Sequence, residues 1–135
     1  MSLAALAPWA FGFACLALVI WRAVRNTRKM VEQTLKRRPN PTEAEFLAEM
    51  SPEISRPTAA FLWETIAPYV APKLTPHPDD HLWRDLPIYE DDVTMYWPAD
   101  FAKLHGRTIE LWPDWPKDCV PTIRNFGRWL DSGLD

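Results

Sequence analysis

The sequence predicts an all-α protein: an N-terminal transmembrane helix followed by a small helical bundle of three to four helices. Three observations carry this expectation. Residues 1–21 hold no charged side chain and are rich in Leu, Ala, Phe and Trp. Three later segments repeat apolar residues at helical spacing. The one alternation of strand type, Ile109 and Leu111, suffices at most for a brief extended piece.

Length and flanks set the first element. Leu3 to Trp21 is a run of 19 residues, and at about 1.5 Å per residue it matches a hydrocarbon core about 30 Å thick. Trp9 and Trp21 stand near its ends, and Pro8 falls in the first two turns. A signal peptide carries positive charge before its apolar core and a small-x-small cleavage site after it. Here the positive charge follows the core, and "RAVRNTRK" offers no such site. Residues 22–38 hold seven Lys/Arg against Glu32 alone, a net +6, whereas 39–135 hold eight against seventeen acids, a net −9. The basic excess after the span places that side in the cytoplasm, in a single pass of a bacterial inner membrane with a very short N-terminus outside. Those basic side chains would meet anionic lipid headgroups. Nucleic acid is not an expected partner, because the basic block is tied to the membrane and the rest is acidic. Cys15 and Cys119 would lie in lipid and cytoplasm, so neither a bridge nor a thiolate metal site is expected, and both read as packing residues.

The expected division is 1–38 for the anchor and its basic helix, 39–56 for a short helix and linker, and 57–135 for the helical domain. "RNTRKMVEQTLKRR" continues the first helix until Pro39 and Pro41 end it. "NPTEAEFLAEM" predicts a short helix with Asn40 as N-cap, Pro41 at N1 and Glu43 at N3, and "SPEISRP" a linker. "PTAAFLWETIAPYV" aligns Phe61, Leu62, Ile66, Tyr69 and Val70 on one face, with Pro68 kinking or ending the helix late. "DDVTMYWPADFAKLHG" aligns Val93, Tyr96, Trp97, Phe101 and Leu104, with Asp92 as N-cap and Gly106 as the stop. Pro98 interrupts that stripe. "PTIRNFGRWLDSG" aligns Ile123, Phe126, Trp129 and Leu130 and ends at Gly133.

Chemistry is suggested at one place, "TPHPDDHLWRDL", where His77, Asp79, Asp80 and His81 lie within five residues. The motif "HPDD" resembles that of zinc-dependent deacetylases, in which His and Asp bind zinc and another Asp is the base. Their motif follows a buried strand and precedes a glycine-rich turn, and neither context is present here. A local site would need His77 and His81 at i, i+4 on a helix, with Pro78 at its first position. The competing reading has Asp79 or Asp80 capping a turn, with the histidines solvated, and it is the stronger of the two.

Residues 58–130 resemble the acyl carrier protein pattern. Leu82, Asp85, Leu86, Asp92, Val93, Phe101 and Ile109 match its motif positions around helix II, with one extra residue after Leu86. The "DL-I-x-x-DDV" form is similar to a family of small uncharacterised bacterial proteins related to carriers. The resemblance implies an acyl-carrier-like bundle with an acidic helix-II surface, Glu90, Asp91, Asp92 and Asp100, that docks onto basic partners. It also implies a serine at the head of helix II to hold phosphopantetheine. Asp92 or Val93 stands there instead, so no prosthetic group, other cofactor or catalytic residue is expected.

The functional expectation is a membrane-anchored, non-enzymatic interaction domain, touching the bilayer through residues 3–21 and a protein partner through the acidic surface. Trp112 and Trp115 in "LWPDWP" are a further candidate contact pair, although a core-covering role is expected for at least one. Trp63, Trp83, Trp97 and Trp129 are expected in the core. The alternatives are a small metal-dependent hydrolase using the His/Asp cluster and an accessory subunit of a membrane complex.

Overall fold

The computed structural model describes residues 2–135. Five α-helices make the fold: α1 (Leu3–Arg37), α2 (Glu43–Met50), α3 (Arg56–Val70), α4 (Trp97–Leu104) and α5 (Ile123–Ser132). A π turn, Asp92–Tyr96, leads directly into α4, and a 3-10 turn, Ile109–Leu111, follows it. No strand forms among the described residues; one isolated bridge joins His81 to Thr122.

Helix α1 runs unbroken for 35 residues and is long and apolar enough to cross a membrane, a test that a signal sequence also passes. The helix continues through Pro8, its sixth residue, forgoing one backbone hydrogen bond to the Ala4 carbonyl. The apolar part is exposed along its length, but Val31 and Thr34 are buried against the folded domain. Arg38 leaves the helix in extended conformation, and Pro39 and Pro41 follow.

The N-cap of α2 is Thr42, two residues later than expected. Its hydroxyl accepts the Glu45 N–H, the geometry that puts a Ser or Thr three residues before a Glu. Asn40 is used across the loops instead: its amide donates to the Lys73 carbonyl, and its oxygen accepts from Thr75 N–H and Arg38. Phe46, Met50 and Ile54, from the segment expected as short helix and linker, are fully buried in the main core.

Helix α3 tolerates Pro68 two residues from its end, burying Leu62, Ile66 and Val70. Tyr69, expected on the buried face, is half exposed and meets Trp97 edge-on at 5.4 Å. The next helical run covers 90–104, so Asp92 lies inside it and does not cap it. The widened turn is explained by Pro98, which has no N–H and whose ring crowds the carbonyl four residues earlier. The Trp97 N–H reaches back to the Asp92 carbonyl, five residues away. Gly106 stops α4 at φ +65°, a conformation that favours glycine. The alternation of Ile109 and Leu111 is a helical turn, not extended chain.

Helix α5 agrees with expectation. Thr122 caps it through the Asn125 N–H, Ile123, Phe126 and Leu130 are buried, and Gly133 ends it. Gly127 lets α5 approach Ile54 and Leu62 closely. Asp131, near its end, accepts hydrogen bonds from the Ser55 N–H at 2.7 Å and from the Ser55 and Thr58 hydroxyls. One carboxylate thereby satisfies the start of α3 from another helix. Of the four tryptophans expected in the core, Trp97 is buried, and Trp63, Trp83 and Trp129 are partly buried against it. Both cysteines are free: Cys15 is exposed on α1 and Cys119 half-buried in a loop.

Candidate functional site

The His/Asp cluster lies on a loop that the chain uses twice. Its backbone serves α5: the Ile123 N–H donates to the Asp80 carbonyl at 3.1 Å and the Arg124 N–H to the Pro78 carbonyl at 2.8 Å. Those are orphan amides of a helix's first turn, and the loop supplies the acceptors they lack. Its side chains serve α1. Asp80 is 1 % exposed and takes Arg38 in a two-pronged pair, Nε to one oxygen at 2.9 Å and Nη2 to the other at 2.6 Å. The same carboxylate accepts the His77 N–H at 3.1 Å, closing the turn.

Arg38 spends its remaining donors on the Thr75 and Pro39 carbonyls and on Asn40. Arg37 bonds Asp85 at 2.9 Å and lies 3.8 Å from Asp80. Asp85 also accepts the His81 N–H at 2.7 Å, and its carbonyl accepts the buried Thr34 hydroxyl at 2.7 Å. The last basic residues of α1, expected to face lipid headgroups, are therefore committed in part to the domain. A guanidinium fork on a buried carboxylate fixes orientation as well as distance.

The other cluster members point elsewhere. Asp79 pairs with Arg124 at 3.0 Å, and His77 lies 3.8 Å from Glu49. His77 Nδ1 accepts the Asp79 N–H, and His81 Nδ1 accepts the Arg84 N–H at 3.2 Å. Burial lowers the His81 pKa, with Arg84 adding to the effect and Asp85 and Glu90 opposing it. An accepting Nδ1 fits a neutral ring. Among the described residues no three His, Cys, Asp or Glu side chains converge as metal ligands. The expectation of a capped turn describes Asp80 correctly but understates it, and the histidines are half-buried, not freely solvated.

The acidic residues of the 90–104 run form a surface. Glu90, Asp91 and Asp100 are exposed, Asp92 is partly so, and none forms an ion pair among the described residues. Large apolar side chains are interleaved with them: Tyr89 is 79 % exposed, Met95 and Tyr96 60 %, and Leu104 71 %. Sequence spacing placed Tyr96 and Leu104 on a buried stripe; the π turn rotates the register between Val93 and Trp97 and leaves Tyr96 outside, and Leu104 is exposed as the last residue of α4.

The two loop tryptophans separate. Trp112 is buried, its Nε1 donates to the Leu130 carbonyl at 3.2 Å, and its ring lies where a Cβ on Gly133 would be. It covers the core and is not an exposed contact. Trp115 remains partly exposed, 5.8 Å from the Trp129 ring, with Nε1 on the Cys119 carbonyl. Comparison with protein families, curated proteins and solved structures gave no match to this chain.

Proposed function

We propose that the chain is a single-pass, membrane-anchored, non-enzymatic domain of a bacterial inner membrane, presenting the 90–104 surface to a cytoplasmic protein. The observation that carries this reading is the combination on one helical run of unpaired carboxylates with exposed Met95, Tyr96 and Leu104, and with Tyr89 just before it. Isolated exposed apolar residues are ordinary, but a cluster rimmed by like charge is the usual composition of a contact site. A basic partner surface fits the net −9 of residues 39–135.

Anchoring is supported by the uncharged run of α1 and by the continuity of that helix into the domain, where Val31 and Thr34 are buried. Orientation rests on the basic block after the run. The likeness to carrier proteins is supported by Leu82, Leu86, Val93 and Phe101, all core residues here. With Asp92 and Val93 at the serine position, what such a domain retains is docking without a prosthetic group. The hydrolase alternative loses its central ligand, because Arg38 and the His77 amide occupy both oxygens of Asp80.

The test is a photocrosslinking residue in place of Tyr96, in native membranes. A discrete adduct is expected, and it should vanish when Glu90, Asp91 and Asp100 are together changed to Lys. An adduct that survives both the charge reversal and high salt would overturn the acidic-docking reading.

A further inference from the structure

A pocket of about 340 Å³ opens between the start of the 90–104 run, the loop before α5 and α5 itself. It is lined by Trp83, Trp115, Phe126 and Trp129 together with Val93, Thr94 and Pro121. The polar atoms of these walls are largely used. Trp115 Nε1 donates to the Cys119 carbonyl and Trp129 Nε1 to the Pro113 carbonyl at 2.8 Å. The Thr94 hydroxyl donates to the Glu90 carbonyl. What remains is apolar, much of it contributed by aromatic side chains.

Such walls discriminate among ligands by their hydrogen-bonding needs. A primary ammonium or guanidinium would enter with donors that find few acceptors, which opposes binding. A quaternary ammonium carries charge without donors, and aromatic faces attract it through their quadrupoles. In sequence, acidic residues outnumber basic ones beside the lining positions: Glu90, Asp91 and Asp92 precede Val93 and Asp114 precedes Trp115, whereas Arg84 follows Trp83; Asp85 is already paired with Arg37. Glu90 precedes Thr94 by one turn.

We propose that this pocket binds a quaternary ammonium group of the trimethylammonium type, carried by a free solute or by a lipid headgroup. The pocket adjoins the proposed protein contact at the start of the 90–104 run, but its ligand is a different one and the proposal does not rest on that contact. The test is calorimetric titration of the full-length chain in a nonionic maltoside with choline and with 3,3-dimethylbutan-1-ol, its neutral isostere. Saturable choline binding at least tenfold tighter than the isostere is expected. Trp115→Leu, which keeps the wall apolar and removes one ring, should weaken choline binding at least fivefold and leave the isostere within twofold. Repeating the titration in bilayers of phosphatidylcholine and of phosphatidylglycerol distinguishes the sources. Choline binding weakened only by the former points to a lipid headgroup, and equal binding in both to a free solute. Equal affinity for choline and its isostere, or no saturable choline binding, would overturn the proposal.

Discussion

Replacing Arg38 by Met keeps most of the aliphatic volume while leaving Asp80 buried without its cation. Asp80 then retains the His77 N–H and the more distant Arg37, whose side chain is 53 % exposed. Removing one member of a buried pair costs about 3–5 kcal/mol, because the remaining charge stays desolvated. Arg37 can move toward the vacancy, so the lower end, about 3 kcal/mol, is the expected loss. That is a large share of the roughly 5–15 kcal/mol that holds a typical domain, and corresponds to a fall in Tm of about 10–20 °C. Urea titration of the full-length chain in detergent, followed by tryptophan emission, gives the numbers for Arg38→Met, Asp80→Asn and the double variant. Asn preserves an acceptor for the His77 amide, so the cycle isolates the charge. The double variant should be no less stable than Arg38→Met alone, a coupling of at least about 1.5 kcal/mol. A loss below about 1 kcal/mol for Arg38→Met, or additive losses, would refute the assignment of this pair as the clamp between α1 and the domain.

Other expectations follow from single contacts. Gly133→Ala would place its Cβ 1.8 Å from the Trp112 ring, so a loss of about 1–3 kcal/mol in urea titration is expected from overpacking. Gly127→Ala meets side-chain methyls alone, the ends of Ile54 and Leu62 at 2.9 and 3.1 Å and the Ile54 Cγ2 at 3.3 Å. There the helical gain of up to about 1 kcal/mol offsets the crowding, and the same titration should show little change. Asp131→Ala removes three hydrogen bonds at the start of α3 and should cost about 1–3 kcal/mol, read as a lower urea midpoint. His81 has a folded pKa below its ordinary 6.5, so the unfolded chain takes up its proton first as pH falls. Its contribution is therefore complete above the unfolded value and is lost as pH drops through the folded one. The urea midpoint should fall between pH 7.5 and 5.5, and His81→Gln should flatten that slope.

Much of the fold could be read because its signals are local. The uncharged run, Pro39 after the basic block, and Gly133 at the end of α5 each depend on a few adjacent residues. Partners distant in sequence were beyond such reading. Asp80 resembles a metal ligand until Arg38, 42 positions earlier, is placed on it, and nothing near Arg38 distinguishes it from its basic neighbours. Trp112 lies in a proline-broken loop, yet Gly133 leaves the space that buries its ring. Between Val93 and Trp97 a π turn shifts the register, so helical spacing misassigns Tyr96, while Leu104 is exposed because α4 ends there. The acidic surface was visible as composition, but its apolar companions were not, since their exposure depends on that turn and on where the helix stops. The aromatic pocket draws on three separate segments, and no spacing rule joins Trp83 to Trp129.

The continuity of α1 has a mechanical consequence. A domain on a flexible tether samples a hemisphere above its membrane, whereas this one is clamped to a stiff rod. Trp21 to Val31 is ten residues, about 15 Å of helix, so in the proposed anchored arrangement the standoff from the bilayer would be fixed at about that length. Any tilt of the rod within the lipid would then become a swing of the whole domain. A binding partner would then be selected by height and angle before surface chemistry is tested, and two flexible residues inserted after Trp21 should loosen that selection while leaving the domain itself folded.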